Sequence, residues 1–251
     1  MKVVAEIGLS HEGSLGYAFG MVEAVAAVGV DAVKFQCHTG DPCNNFRPGT
    51  SFPQDHTRQD YWVRTAFTRG EWSKLATHVH ECGLEFGVSV FSQQAIDMLE
   101  GISDFWKIGS AQTSDTKLIE RVKISAPVVL STGMSDLREI EVAYRTLEGC
   151  DVTILQCTTA YPTKPSEIGL NVMRDIGTWY WCKVGLSDHS GMIWPGIAAA
   201  VMGADMVEVH ACYDRRQWGP DVSSSLTVDE IGQLVAGVRY VERMTPVDKN
   251  N

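Results

Sequence analysis

The chain has 251 residues, 44% hydrophobic and 21% charged, which is typical of a folded globular domain and excludes a disordered, collagenous or coiled-coil protein. Lys plus Arg total 21 against 31 Asp plus Glu, and this net charge of −10 argues against nucleic acid and anionic membranes as partners. Glu6 interrupts the N-terminal hydrophobic run, and no later window is long enough for a membrane helix. The sequence therefore predicts a cytoplasmic protein.

Short β-rich segments alternate with longer helical patterns along the whole chain, an order that predicts parallel βαβ units. Eight such units predict an α/β fold of the (β/α)8 TIM-barrel type, a single domain over residues 1–251. A doubly wound open sheet is the alternative, but the first turn, GLSHEGS, lacks the glycine-rich phosphate loop expected there. The predicted strands are 3–8, 32–37, 85–90, 105–109, 128–132, 152–157, 183–187 and 206–210.

The longest irregular segment is 38–68, which follows the second predicted strand and is rich in Pro, Gly and Asn. Loops of this length in compact domains are usually lids or binding loops. In a barrel this loop opens on the C-terminal face, where active sites lie. We therefore predict an irregular 38–68 loop as a candidate lid.

Polar residues alternate with hydrophobic ones in six predicted strands, and they should face the barrel interior because the opposite face is hydrophobic. Unpaired buried charges cost several kcal/mol each, so such a set should converge on a ligand. Three lysines against two glutamates predict a positive interior that suits a phosphate or carboxylate. The predicted inward residues are Glu6, Lys34, Lys107, Gln156, Lys183 and Glu208.

Two of these residues have a purely structural interpretation. Lys183 and Glu208 lie on adjacent strands, and for this pair we favour a structural ion pair over ligand binding. For Lys34 and Lys107 the ligand-binding interpretation is favoured. Ser110 in KIGS and Ser131 in LSTGM add hydroxyl donors at strand ends, as a phosphate site needs.

Two histidines lie at the ends of adjacent predicted strands, His189 just after the seventh and His210 at the last position of the eighth. Their imidazoles are expected within reach of one divalent ion. Two ligands bind a metal weakly, so water, substrate oxygens and Asp214 or Glu6 would complete an octahedron, which favours Mn²⁺ or Mg²⁺ over zinc. The alternative for either histidine is a neutral, hydrogen-bonded wall residue.

Seven short motifs follow one another along the chain: AEIGLSHEGS, AVKFQ, KIGS, LSTGM, LQCTTAYPT, GLSDHSG and VEVHACYD. In this order and spacing they resemble the N-acetylneuraminate (sialic acid) synthase family over nearly the whole chain. The resemblance implies a (β/α)8 barrel that condenses phosphoenolpyruvate with an open-chain N-acylated amino sugar, such as N-acetylmannosamine. The products would be a 2-keto sugar acid and phosphate.

The resemblance also implies roles for individual residues. His189 and His210 match the metal-binding histidines, and Glu6 matches the glutamate that handles the attacking water. The metal is expected to be Mn²⁺, with Mg²⁺ or Co²⁺ as alternatives, and the protein a homodimer. The residues matched to phosphoenolpyruvate binding are Lys34, Ser89, Lys107, Ser110 and Ser131, and those matched to the sugar side are Gln36, Tyr161 and Asp214.

One departure from the family concerns the C-terminus. Family members usually carry a small antifreeze-like domain that caps the neighbouring subunit's site, whereas this sequence ends directly after the eighth predicted helix. Either a separate protein supplies the cap, or the 38–68 loop replaces it, or the acceptor is not the usual acylated sugar. Arg215 and Arg216 would meet a second phosphate on a phosphorylated acceptor, and a solvated surface pair is an equally weighted interpretation.

Two other functions stay open at this point. One is the same chemistry on a different, phosphorylated aldose. The other is a noncatalytic barrel that binds sugar or partners a full-length synthase. The joint presence of Glu6, Lys34, Lys107, His189 and His210 argues against the noncatalytic barrel, because sequence drift would remove at least one of them.

Overall fold

The computed structural model describes residues 1–40, 55–123 and 126–244, and its centre is a closed ring of parallel strands. Each strand pairs with the next, and β1 also pairs with β8, which closes the ring. The predicted (β/α)8 barrel is therefore confirmed. The strands are β1 Lys2–Gly8, β2 Ala32–Cys37, β3 Glu85–Val90, β4 Phe105–Ile108, β5 Val128–Ser131, β6 Val152–Cys157, β7 Lys183–Asp188 and β8 Met206–Cys212, with a short β9, Leu226–Thr227, beside the end of β8.

Helices surround the ring and cover its hydrophobic outer face. They are α1 Leu15–Ala27, α2 Arg58–Thr65, α3 Arg69–Glu81, α4 Gln93–Leu99, α5 Thr116–Val122, α6 Leu137–Thr146, α7 Leu170–Tyr180, α8 Trp194–Val201 and α9 Val228–Glu242. Among the helices that the structure describes, none is both long and apolar enough to cross a membrane.

Helix α2 corrects the prediction of a wholly irregular segment over 38–68. Thr57 and Asp60 form a capping box, in which Thr57 Oγ1 accepts from the Asp60 backbone N–H at 3.1 Å and the Asp60 carboxylate accepts from the Thr57 N–H at 2.9 Å. Both bonds satisfy backbone donors that the first turn of a helix leaves free, so the helix begins here. Residues 41–54 of the candidate lid lie outside the described residues.

A hydrophobic layer fills the lower part of the barrel interior. It consists of Val4, Ala32, Phe105, Val129, Leu155 and Met206, one residue from each of six strands. Because strand side chains alternate in direction, the next inward residues towards the C-terminal ends lie directly above this floor. Glu6, Lys34, Lys107 and Glu208 occupy those positions, as their strand patterns predict.

Strand β6 has the opposite orientation to the one predicted. Leu155 belongs to the hydrophobic floor, so Gln156 faces the helix layer instead of the interior. Its Oε1 accepts from Thr132 Oγ1 at 3.1 Å, and its Nε2 donates to the Ile168 carbonyl at 3.3 Å. The prediction failed because this strand carries hydrophobic residues on both faces, and the amide finds its partners in a loop.

The absence of a side chain at Gly87 makes room for the Phe105 ring of the hydrophobic floor, because a methyl group there would lie 2.0 Å from Phe105 Cζ. We expect Gly87→Ala to lower the free energy of unfolding by about 1–3 kcal/mol through overpacking. Gly16→Ala in α1 is the control, since none of the described residues lies within 4 Å of its added methyl group. Urea unfolding measures both variants, and a Gly87→Ala protein as stable as wild type would contradict this account of the floor.

Candidate active site

Four charged side chains form a buried network above the floor, each no more than 4% exposed. Lys34 Nζ lies 2.7 Å from Glu6 Oε2 and 3.6 Å from Glu208 Oε1. Lys107 Nζ donates to both carboxylate oxygens of Glu208, at 2.7 and 2.8 Å. Strand register produces the first contact, because Glu6 on β1 is paired directly with Lys34 on β2. The four residues, here called the charge network, carry two positive and two negative charges.

Lys183 is not part of the charge network, so the predicted ion pair with Glu208 is wrong. Its side chain is 56% exposed and bonds the Asp151 carboxylate at 2.9 Å. The stagger of the barrel is the reason, since Ser187 is the β7 residue in register with Glu208, and Lys183 lies at the other end of that strand. The predicted positive interior is also wrong, because two buried lysines face two buried glutamates.

The contacts within the network shift the pKa values of its members. Burial raises the pKa of Glu208, but Lys107 and Lys34 outweigh burial and hold it well below its usual range. Burial lowers the pKa of Lys34, yet Glu208 and Glu6 overcome this and raise it. Burial, helped by the charge of Lys34, lowers the pKa of Lys107 in spite of Glu208. An anion bound beside Lys107 would favour its protonated form, so ligand and lysine charge would stabilise each other.

Three serines predicted to bind phosphoenolpyruvate lie on neighbouring strands or just after them. Ser89 Oγ accepts from Lys34 Nζ at 2.6 Å, and Ser110 Oγ accepts from the Gly133 N–H at 3.1 Å. Ser131 lies one inward position above Val129 of the floor, and its buried hydroxyl has no hydrogen-bond partner among the described residues. A buried polar group without a partner is costly, so this hydroxyl suits a ligand oxygen.

The two histidines predicted as metal ligands lie together at the C-terminal end of the barrel. The centroids of the His189 and His210 rings are 5.2 Å apart. His189 Nδ1 lies 3.0 Å from the Thr158 carbonyl, which only accepts, so this nitrogen carries the hydrogen. The lone pair of His189 Nε2 then accepts from the Tyr161 hydroxyl at 3.1 Å, a hydrogen bond that a metal ion would have to replace.

This arrangement fits a divalent metal ion held by two nitrogens. A ring N–H bonded to a backbone carbonyl is the usual support of a metal-binding histidine, since it fixes the tautomer and directs the other nitrogen at the ion. Burial and the nearby His189 lower the pKa of His210 despite Asp221, which favours the neutral, metal-binding form, whereas burial is outweighed at His189, whose pKa is raised by its contacts with Cys157. Within residues 1–40, 55–123 and 126–244, no group of three or more His, Cys, Asp or Glu side chains is placed to hold a metal. Water and substrate oxygens would have to fill the remaining positions.

Two residues predicted for the sugar side join this site, and one does not. Gln36 Nε2 donates to Glu6 Oε1 at 2.7 Å, and the Tyr161 ring stacks on His189 with centroids 4.2 Å apart. Asp214 instead accepts from its exposed neighbour Arg216 at 2.9 Å, and no contact described for it reaches the charge network. The ion pair between Asp214 and Arg216 joins residues only two positions apart, and the position of Asp214 near a strand end did not indicate this pairing.

The arginines considered for a second phosphate are both paired with carboxylates. Arg216 bonds Asp214, and Arg215 lies 2.7 Å from Glu230 of α9. Their contacts favour the interpretation as surface ion pairs.

Sequence reasoning missed two residues near the histidines. Asp221 Oδ2 lies 3.9 Å from His210 Nδ1, and the strand pattern did not indicate it because Asp221 belongs to the segment after β8. Cys157 Sγ lies 3.9 Å from His189 Nδ1 and 3.5 Å from Ser110 Oγ. Cys157 was missed because β6 was assigned the wrong face.

Comparison with known proteins shows which family the chain resembles. A family model described as the NeuB family matches residues 21–249. The N,N'-diacetyllegionaminic acid synthase of Campylobacter jejuni is 28% identical, with 96% of this chain and 76% of the relative covered. The N-acetylneuraminate-9-phosphate synthase of Homo sapiens is 29% identical, with 96% and 70% covered. The solved N-acetylneuraminic acid (sialic acid) synthetase of Leptospira borgpetersenii, in complex with citrate, superposes with a TM-score of 0.85 at 24% identity, covering 99% of this chain and 88% of that one.

The chain belongs to the NeuB family, because the family model matches far more than half of it. Both curated relatives are named as synthases, so the predicted enzyme class is confirmed. The solved structure, at its low identity, supports the barrel fold. The homodimer and a separate capping protein stay predictions.

The charge network predicts a specific pattern of stability. Lys107→Met leaves Glu208 without its closest partner in a buried site, so we expect the free energy of unfolding to fall by about 3–5 kcal/mol. The double variant Lys107→Met/Glu208→Leu removes one charge of each sign and should recover most of that loss. Lys183→Met is the control, with an expected change below about 1 kcal/mol because its ion pair is exposed. If urea unfolding showed an equally small loss in the free energy of unfolding for Lys107→Met and Lys183→Met, the result would contradict the network.

Proposed function

We propose that the protein condenses phosphoenolpyruvate with an open-chain N-acylated amino sugar and releases phosphate and a sialic-acid-like 2-keto sugar acid. The single observation that carries the proposal is the charge network, in which Lys34 pairs with Glu6 and Lys107 with Glu208, beside a pair of histidines at the same end of the barrel. The names of the relatives, synthases of diacetyllegionaminic acid and of N-acetylneuraminate 9-phosphate, support a product of this class.

Phosphoenolpyruvate suits the two lysines of the charge network and the serine hydroxyl groups beside them. Lys34 and Lys107 would bind its phosphate and carboxylate, with Ser131 donating the hydroxyl that has no partner in the described part of the chain. Because the network is neutral by itself, a polyanionic ligand leaves an excess of negative charge in a buried site. A divalent cation held by His189 and His210 would balance that excess, which supports a requirement for Mn²⁺ or a similar ion.

Glu6 is placed to take a proton from water. Its Oε1 accepts from Gln36 and its Oε2 faces Lys34, and a carboxylate with about four lone-pair sites keeps others for a water molecule. In the proposed reaction, carbon 3 of phosphoenolpyruvate forms a bond to the aldehyde carbon, and the aldehyde oxygen takes up a proton to become a hydroxyl. Water then adds at carbon 2 as Glu6 accepts one of its protons, which replaces the proton taken up by the aldehyde oxygen, and cleavage of the carbon–oxygen bond expels phosphate together with the second water proton and leaves the keto group.

The remaining residues bind and neutralise the reactants. Lys34 and Lys107 hold the phosphate throughout and stabilise it as it leaves. A divalent ion bound at His189 and His210 would supply Lewis acidity to the aldehyde oxygen. Tyr161, which is 43% exposed and stacked on His189, would contact the open-chain sugar at one side of the site. The acceptor is proposed to lack a phosphate group, since Arg215 and Arg216 are already paired with carboxylates.

Phosphate release from phosphoenolpyruvate in the presence of Mn²⁺ tests the reaction and its acceptor together. We expect release with N-acylated hexosamines and not with free or phosphorylated aldoses, and loss of release when the metal is chelated. His189→Ala should abolish activity, whereas His80→Ala, at an exposed histidine bonded to Asp104, should retain it. Absence of release with all three acceptor classes would refute the proposed function.

The proton-accepting role of Glu6 predicts a loss in kcat. Glu6→Gln keeps the shape of the side chain but removes its basicity, so kcat should fall by roughly 10²–10⁴-fold. Binding of Mn²⁺, followed by titration calorimetry, should stay near the wild-type value. Glu85→Gln, at an exposed residue of β3, is the matched control. A Glu6→Gln enzyme with wild-type kcat would exclude Glu6 from the proton transfer.

A further inference from the structure

A line of hydrogen bonds reaches Glu6 from the rim of the barrel. His38 follows the last residue of β2, and its Nε2 lies 3.0 Å from Gln36 Oε1. Gln36 Nε2 in turn donates to Glu6 Oε1 at 2.7 Å. Three side chains are therefore joined in series, and the series ends on the carboxylate that the proposed reaction uses as its base.

The chemistry of the groups fixes the direction of this series. An ionised carboxylate only accepts, so Gln36 must present its NH₂ group to Glu6 and its carbonyl oxygen to His38. His38 Nε2 must then carry a hydrogen and donate it. If the Gln36 amide were reversed, its oxygen would face the Glu6 carboxylate and two acceptors would repel each other. The tautomer of His38 and the orientation of Gln36 thus determine one another.

Aromatic rings hold His38 on both faces. Its imidazole is stacked between Trp62 of α2 and Phe91, which follows β3, with ring centroids 4.0 Å apart on each side. The interplanar angles are 9° and 10°, so the three rings are nearly parallel. Such a sandwich fixes the plane of the imidazole and with it the direction of the Nε2–H group.

Helix α2, which supplies one of these rings, is tied to the loop after β1, the strand of Glu6. The Arg64 guanidinium lies 2.9 Å from both Glu12 Oε2 and Asp55 Oδ2, and it also donates to the Glu12 carbonyl at 3.1 Å. The Tyr61 hydroxyl donates to Glu12 Oε1 at 3.2 Å. Helix α2, which carries Trp62, is therefore fixed by ion pairs and hydrogen bonds to the loop that follows the strand of Glu6.

We infer that His38 is a positioning residue, which orients Gln36 and thereby fixes the Glu6 carboxylate for the water-addition step. The inference rests on the proposed function for that step. Histidine suits the position because it is a flat ring that stacks between two aromatic side chains and also donates a hydrogen bond in its own plane. Phenylalanine would supply the first property alone, and glutamine the second alone.

A pair of substitutions separates these two properties. His38→Phe keeps a stacking ring but has no donor, and we expect kcat to fall about tenfold, the effect of one lost hydrogen bond in the transition state. The KM values for phosphoenolpyruvate and sugar should change less than about twofold, and Tm should stay close to wild type. His38→Gln keeps a donor and should retain more of kcat than His38→Phe, even with a lower Tm. Equal kcat in His38→Phe and wild type would overturn the inference.

A double-mutant cycle tests whether His38 acts through Gln36. In a Gln36→Ala background, His38→Phe should cause no further loss of kcat, because the link to Glu6 is already broken. A full additional tenfold loss in that background would show that His38 acts by another route and would overturn the inference.

The tautomer of His38 provides a test that needs no activity. Nitrogen NMR of protein labelled at histidine, with His38→Phe used for assignment, should show a hydrogen bound to His38 Nε2. A bare Nε2 would overturn the inference even in an active enzyme. An inactive wild type with a protonated Nε2 would locate the failure in the proposed reaction, whereas an active wild type with a bare Nε2 would locate it in the role of His38.

Discussion

The balance of four buried charges is the constraint on which the rest of the site depends. Lys34 and Lys107 lie inside a barrel whose lower half is hydrophobic, where an unpaired charge would cost several kcal/mol. Glu6 and Glu208 supply the compensating charges within 3 Å of the lysines. The network is neutral without a ligand, so the barrel is stable when empty and holds its cationic groups ready for an anion.

The same constraint explains the position of the histidines. A polyanion added to a neutral network would need further positive charge nearby, and His189 and His210, one layer higher in the barrel, are the residues proposed to hold a divalent cation there. Gln36 and His38 have a different proposed role, which is to hold the Glu6 carboxylate in a single orientation. In this account β1 and β2 and the segment after them orient the proposed base, while β7, β8 and the segment after β6 carry the residues of the proposed metal site.

The barrel and most of the inward residues were predictable from the sequence. The alternation of polar and hydrophobic residues along a strand indicates which side chains point inward when one strand face is hydrophobic and the other polar. It failed for Gln156, whose strand is hydrophobic on both faces, and for Lys183, because barrel stagger depends on pairing register that single strands do not contain. Asp214 was misplaced because its partner Arg216 is a local contact outside the strand pattern. The sandwich around His38 was not predicted, because Trp62 comes from a helix inside a segment that was expected to be irregular.

The fate of the bridging oxygen of phosphoenolpyruvate tests the central claim most directly. With heavy oxygen placed between carbon 2 and phosphorus, water addition at carbon 2 followed by carbon–oxygen cleavage leaves the label in the released phosphate, which phosphorus NMR detects. We predict labelled phosphate, formed only when the acceptor sugar is present. Unlabelled phosphate would mean that water attacks phosphorus, and it would contradict a site in which Glu6 directs water to carbon 2 while the lysines hold the phosphate.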